Sequence, residues 1–223
     1  MTPASSPRDA GALTDAVASG AAQLGIVLGR EQVDRLARFA ALLIKWNAVY
    51  NLTAIDRPGD VVSLHLLDSL SILPELDTLA DGRALRVLDV GAGGGLPGVA
   101  LAIARPQWRF HLIDKVQKKA AFLRQVRAEL RLANVEVVHA RVEAWQAAER
   151  FDVIVARAFA SLVDLVALTR HLLAPGAVWL AMKGAAPHAE IAELPRDARV
   201  RRTVKLRVPL LDAQRHLIIV EPC

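Results

Sequence analysis

Cysteine is almost missing from this chain: the only one in 223 residues is Cys223. An internal disulfide is therefore excluded, which fits a reducing cytoplasm, and no cysteine nucleophile is available inside a fold. Long apolar runs are missing too. The chain is 53% hydrophobic with a mean hydropathy of +0.30, yet no stretch reaches 18 uninterrupted apolar residues, so no membrane-spanning helix is expected. The histidines (65, 111, 139, 171, 188 and 216) include no pair at helical i, i+4 spacing, so no metal site is signalled. The first twenty residues carry Arg8, Asp9 and Asp15 and lack the apolar centre of a secretory signal. Acid is in deficit: 28 Lys and Arg stand against 23 Asp and Glu, for a net charge of +5. That balance suits a polyanionic partner without specifying one.

What is present falls into two rhythms. Residues 1–12, rich in small residues and proline, read as a flexible tail. A helix is expected from Leu13 to about Leu24, and a stronger one follows, because Val33, Leu36, Ala37, Ala40, Leu43 and Ile44 recur at three- and four-residue steps. It leads into Lys45-Trp46-Asn47-Ala48-Val49-Tyr50-Asn51-Leu52-Thr53, and Pro58-Gly59-Asp60 breaks the chain. A third helix over about 60–73 offers Val61, Leu64, Leu67 and Leu70 to a core, sets His65, Asp68 and Ser69 on another side, and is ended by Pro74. These pieces make an N-terminal helical segment, residues 13–80.

From about residue 81 strands alternate with helices, the pattern of a parallel sheet with crossovers. Strands are expected at Arg86–Val90, Arg109–Ile113, Val135–Ala140, Phe151–Ala156 and Ala177–Met182, with helices at Pro97–Ala104, about Lys115–Leu132, and Ser161–Leu173, the last stopped by Pro175-Gly176. Val200–Val208 and Arg215–Glu221 are separated by too few residues for a crossover helix and should pair antiparallel. The expectation is an α/β domain over 81–223: a Rossmann-like seven-stranded sheet whose last strands form an antiparallel hairpin.

The first strand ends in Asp89 and runs into Gly91-Ala92-Gly93-Gly94-Gly95-Leu96-Pro97-Gly98, five glycines in eight residues. Gly93-x-Gly95-x-x-Gly98 has the spacing of a nucleotide-binding turn. Open α/β sheets bind ligands beyond the carboxyl ends of their strands. The polar groups there are Asp89, Asp114, Arg141 and Glu143, Arg157, and Lys183. Asp114 stands where a carboxylate takes the ribose hydroxyls of an adenosine, or simply caps the following helix. Asp89 would repel a pyrophosphate but attract an ammonium or sulfonium, which favours S-adenosylmethionine over a dinucleotide; the bland alternative is a carboxylate that ties down the turn.

The glycine loop, the Lys45–Thr53 segment, His65-x-x-Asp68-Ser69, Asp114 followed by Lys118-Lys119-x-x-Phe122-Leu123, Arg157-Ala158 and Lys183-Gly184 together resemble one family. It is the bacterial small-subunit ribosomal RNA guanine-N7 methyltransferase family, also called glucose-inhibited division protein B. The resemblance runs from about residue 25 to the end of the chain and departs at Ala92, where members often carry Thr. It implies a class I S-adenosylmethionine-dependent methyltransferase fold with an N-terminal helical extension. It also implies methylation of one guanine N7 in 16S ribosomal RNA, in a loop near the decoding site. Implied cofactor contacts fall on Gly91, Leu96, Val142, Glu143 and Arg157, with Asp114 at the ribose; Asp89 and Gly93 join them from the reading of the loop. The implied partner is 16S ribosomal RNA or a small ribosomal subunit particle, met by a cytoplasmic monomer without metal or membrane.

Guanine N7 carries an in-plane lone pair and no proton, so no general base is expected and no catalytic residue is assigned. Methylating a pyrimidine C5 would need a covalent nucleophile, and an exocyclic amine typically an Asn/Asp-Pro-Pro-aromatic segment, where this chain has Ala156-Arg157-Ala158-Phe159. If Arg157 forked onto guanine O6 and N7 it would occupy the atom to be methylated, so it is expected to serve the cofactor or a phosphate. Lys45, Lys118, Lys119, Arg124, Lys183 and Arg201 are the expected RNA contacts, against the alternative of solvated surface charge. Trp46 and Tyr50 could stack on a base or fill the core, and His65 and Asp68 could bond each other. Two rivals stand beside this reading: an NAD-dependent oxidoreductase, opposed by Asp89 and the terminal hairpin, and a non-catalytic RNA-binding module.

Overall fold

A computed structural model of the protein describes residues 7–50 and 60–223. Two long helices, α1 (Pro7–Gln23) and α2 (Arg30–Tyr50), pack on each other. The apolar steps expected from the sequence point inward: Val17, Leu36, Ala40 and Leu43 are almost wholly buried, and Phe39 joins them. Helix α1 starts at Pro7, six residues before its expected position, and so takes in half of the stretch read as a tail; residues 1–6 and 51–59 lie outside the described residues.

The next segment departs from expectation. It is a π-helix over Val61–Leu67 that passes into an α-helical turn, α3 (Asp68–Leu70). His65, Asp68 and Ser69 are not on an outer side but buried with their apolar neighbours. Pro74 does not end this helix. It sits in the first turn of the next one, α4 (Leu73–Ala80), where its missing N–H costs nothing.

The remaining elements are β1 (Arg86–Val90), α5 (Gly98–Ala104), β2 (Arg109–Asp114), α6 (Gln117–Glu129), β3 (Val135–His139), a 3-10 turn (Val142–Ala144), β4 (Phe151–Arg157), α7 (Leu162–Thr169), a 3-10 turn (Arg170–Leu172), β5 (Leu173–Lys183), α8 (His188–Ala192), β6 (Ala198–Leu206) and β7 (Arg215–Pro222). One seven-stranded sheet has the order β3-β2-β1-β4-β5-β7-β6. The first five strands are parallel, and β7 pairs antiparallel with both β5 and β6, as the short connection before it requires. Strand β5 begins at Leu173, earlier than expected: Pro175-Gly176 falls within the strand's span, where the pairing with β4 slips register, and does not merely precede the strand.

Alternate residues serve two cores. Val87, Phe110, Leu112, Val153, Val155, Leu180 and Ile219 face α1, α2, α5 and α6. Leu88, Val90, Ile113, Ile154, Trp179 and Ile218 face α7. The N-terminal helices thus share a core with one face of the sheet. Helix α2 runs beside α6: Trp46 packs on Phe122 with ring centroids 5.4 Å apart, and Arg38 donates to the Glu129 carbonyl at 3.0 Å.

Candidate functional site

A cleft of about 410 Å³ opens at the carboxyl ends of β1 to β4, lined by Gly91, Asp114, Lys119, Val142, Glu143 and Phe159 among others. This is within the roughly 300–1,000 Å³ of small-molecule sites. The strand order supplies the reason for its place: β1 connects outward to β2 on one side and pairs with β4 on the other, so the loops after β1 and β4 diverge.

The glycine loop forms one wall, and the structure explains its composition. Gly91 and Ala92 both donate to the Ile113 carbonyl at 2.9 and 3.1 Å, tying the loop to β2. Gly91 has φ +69, and a Cβ there would stand 3.0 Å from Phe159. Gly98 answers a different need: a Cβ would lie 2.2 Å from Leu112 Cδ2 and 2.6 Å from Asp89 Oδ2, so only glycine lets α5 sit this close to the sheet.

Two carboxylates hold the loop. Asp89 Oδ2 accepts from the Gly98 amide at 2.8 Å. Asp114 Oδ2 accepts from the Gly93 amide at 2.9 Å, and Oδ1 from Val116 at 2.8 Å. Asp114 lines the cleft and holds the amide of Val116, but it does not cap α6 as expected: the N-cap position is Val116, which has no side-chain cap, so the carboxylate ties down the chain one step before the helix. Asp89 is wholly buried and does not line the cleft. Burial pushes its carboxyl up to about 7, against the Gly98 amide and Arg157, which lower it, and with Asp114, which raises it. Its Oδ2 fastens the turn, the plainer of the two duties read from the sequence. Its Oδ1 is buried with no partner among the described residues.

Of the expected cofactor contacts, Gly91, Asp114, Val142 and Glu143 line the cleft, while Asp89, Gly93, Leu96 and Arg157 do not. Leu96 is buried in the core beneath the loop. Arg157 is committed elsewhere: its guanidinium reaches the Leu64 carbonyl and Asp68 Oδ2, both at 3.2 Å, and lies 3.3 Å from His65 Nδ1. Asp68 also accepts from Arg215 at 3.1 Å. His65 and Asp68 thus meet through Arg157 rather than bonding each other. Burial first, and the Arg157 charge second, hold His65 down to about 4, against the Leu64 carbonyl.

The Glu143 carboxylate is held below its usual range by its own backbone N–H and by Arg141, whose Nε lies 2.6 Å away. Reading strand ends from the sequence missed Phe159, which stands two residues past β4 against Gly91, and Ala158, held at φ +52 in the cleft wall. An aromatic just past a strand end was the available signal.

The expected RNA contacts are not gathered in one place. Lys118, Lys119 and Arg124 lie along α6, and Lys45 is exposed on α2 next to the Trp46–Phe122 contact. Lys183 is paired with Glu190 at 2.8 Å, and Arg201 lies on β6 at the opposite edge of the sheet, 3.9 Å from Glu221. Trp46 is half-buried against Phe122; the side chain of Tyr50 lies outside the described residues.

The family model for rRNA small subunit methyltransferase G (GidB) matches residues 32–218. The chain belongs to the rRNA small subunit methyltransferase G family. Ribosomal RNA small subunit methyltransferase G of Burkholderia ambifaria is 55% identical over 212 residues, 93% of this chain and 92% of that one. Its counterpart in Burkholderia vietnamiensis is 56% identical over 205 residues, 90% and 89% of the two chains. Among solved structures, TrmN from Thermus thermophilus superposes with a TM-score of 0.53 at 18% identity, over 72% of this chain and 53% of that one. The N-methyltransferase NodS from Bradyrhizobium japonicum gives 0.53 at 16%, over 70% and 96%. At such identities the likeness speaks for the fold alone, and that fold is the class I methyltransferase fold. The cleft of this family member fits S-adenosylmethionine: a glycine loop that admits close backbone approach, an acidic side chain at the end of β2, and apolar Val142 beside it.

Proposed function

We infer that this chain transfers a methyl group from S-adenosylmethionine to N7 of a guanine in 16S ribosomal RNA, in a loop near the decoding site. The carrying observation is the cleft of a chain whose family match spans residues 32–218: a glycine loop tied to β2 through Gly91 and Ala92, with Asp114 at the end of β2 and Val142 beside it. Guanine N7 bears a lone pair and no proton, so the transfer needs no base and its rate rests on alignment. When bound, the cofactor supplies an electrophilic methyl on a sulfonium. Gly91 leaves room for it, Asp114 has remaining lone pairs for ribose hydroxyls, and Val142 and Glu143 flank the adenine. Phe159 and Ala158, across the cleft from β2, bound the side from which the guanine enters.

The reading includes the division into a helical segment (13–80) and a methyltransferase domain (81–223). It also includes a cytoplasmic monomer that needs no metal and acts on 16S ribosomal RNA or a small-subunit particle. No helix among the described residues is long and apolar enough to cross a membrane, and no cluster of three or more His, Cys, Asp or Glu among them could hold a metal ion.

The test is to map N7-methylated guanines in ribosomal RNA from cells with and without the protein: one site should disappear, and an unchanged map would sink the reading. Calorimetry should find S-adenosylmethionine bound and NAD not bound. Asp114→Asn should weaken cofactor binding by roughly 10- to 100-fold, the worth of a charged hydrogen bond. Unchanged affinity in that variant would leave Asp114 with its ties to the Gly93 and Val116 amides only.

A further inference from the structure

Basic residues in and just after α6 stand in two places. Lys119, near its start, lines the cofactor cleft. Arg124, Arg127 and Arg131, at i, i+3 and i+7, face a second and larger groove of about 1360 Å³ along the edge strand β3 and the amino ends of β1 and β2. Arg35, Arg86 and Arg109 complete its six arginines, and the acids lining it are Glu136 and Glu149. These eight side chains carry a formal +4, against +5 for the entire chain. Arg35 and Arg86 are compensated by Glu31, Glu149 and Asp152. Arg109, Arg124, Arg127 and Arg131 are exposed and have no ion pair among the described residues. The groove has no lysine at all.

Arg131 adds an independent observation. It has φ +53, just past the end of α6, where its neighbour Leu132 donates back to the Arg127 carbonyl at 3.0 Å. That is the left-handed position that closes a helix and that glycine or asparagine ordinarily fills. A Cβ-bearing arginine there carries a backbone strain that glycine would avoid, and it adds a third guanidinium to the groove that Arg124 and Arg127 line.

Resting on the RNA reading above, we propose that this groove is a second RNA site, which grips the phosphate backbone of a helical segment remote from the target guanine. Arginine forks suit phosphate oxygens two at a time, and double-stranded RNA is held chiefly through its backbone and shape. Arg109 and Asp114, at the two ends of β2, stand about 17 Å apart at some 3.3 Å per residue, while the facing walls are nearer, since His111 lines the groove and Ile113 the cofactor cleft. A stem-loop trimmed close to the target guanine meets the cleft and leaves most of the groove empty. A folded ribosomal RNA domain reaches both.

The experiment compares the full chain with the Arg109→Gln/Arg127→Gln/Arg131→Gln variant on two substrates: full-length 16S RNA and a short stem-loop carrying the target guanine. The variant should bind long RNA about tenfold or more weaker, with a log–log salt slope shallower by roughly two to three, as for three lost phosphate contacts. Methyl transfer to the stem-loop should be unchanged. Arg131→Gly alone should melt higher than the parent yet bind long RNA more weakly, which separates strain from loss of folding. Equal losses on both RNAs, or an unchanged salt slope, would overturn the proposal. So would competition by polyglutamate as strong as by duplex RNA of equal charge, which would give the groove to an acidic protein. A parent chain that methylates neither RNA would instead overturn the functional reading on which the proposal rests.

Discussion

Asp89 and His65 are buried ionisable groups displaced in opposite directions. The native state keeps a proton on Asp89 up to about pH 7, where the unfolded chain releases it near 3.8, so Asp89 makes stability fall as pH rises through that window. The native state refuses a proton on His65 down to about pH 4, where the unfolded chain takes one at 6.5, so His65 makes stability rise with pH. Between about pH 4 and 6.5 the two slopes, each about 1.4 kcal/mol per pH unit at most, cancel. Relative to the parent, Asp89→Asn should therefore gain a stability that climbs with pH across this window, and His65→Gln one that declines. Urea midpoints from pH 4 to 7.5 measure both, and difference profiles that stay flat would remove the assignment. None of this could be read from the sequence. A carboxylate ahead of a glycine loop looks the same whether it stands in the open or, as here, lies buried under Gly98 with one oxygen unpartnered among the described residues.

At the scale of elements, the Asp68 carboxylate joins three parts of the fold: it sits just past the π-helical turn and takes Arg157 from the end of β4 and Arg215 from the start of β7. Removing one member of a buried ion cluster leaves the others desolvated and unpaired. Asp68→Ala should cost about 3 kcal/mol, the low end for buried pairs because both arginines keep some exposure. A loss below about 1 kcal/mol in denaturant unfolding would show the cluster to be incidental. Strands and long helices were legible because alternation and three-to-four spacing are local: Val87 to Val90 and Val33 to Leu43 carry their own pattern. The π-helix was not legible, since what buries His65 and Asp68 lies about 90 and 150 residues away in the sequence. Pro74 misled for a related reason, because a proline between apolar residues ends one helix or starts the next depending on packing. Around the site, Asp114 was legible as a polar group at a strand end and Gly91, Val142 and Glu143 through the family resemblance, and all four line the cleft; that Arg157 turns toward Leu64 and Asp68 was not legible, because nothing local says which way an arginine points.

At the scale of the molecule, the sheet has two distinct ends: a cleft at its carboxyl side that mixes Asp114 and Glu143 with Lys115, Lys119 and Arg141, and an arginine groove at its amino side, with α6 running between them. The concentration of arginine at one end was hidden in a net +5, which says how much charge there is and not where it stands. The terminal hairpin closes the far edge and has a consequence for the order of assembly. Strand β7 is an inner strand whose Leu217, Ile218, Ile219 and Val220 are almost wholly buried, while β6 has β7 as its sole sheet neighbour. The later segment of the hairpin must therefore seat before, or together with, the earlier one. In pulsed hydrogen exchange during refolding, amides of β6 should never become protected ahead of those of β7, and early protection of β6 would contradict this. Chain order and assembly order run in opposite directions at this edge, so the strand that completes the sheet's interior is the one that is translated last of the seven.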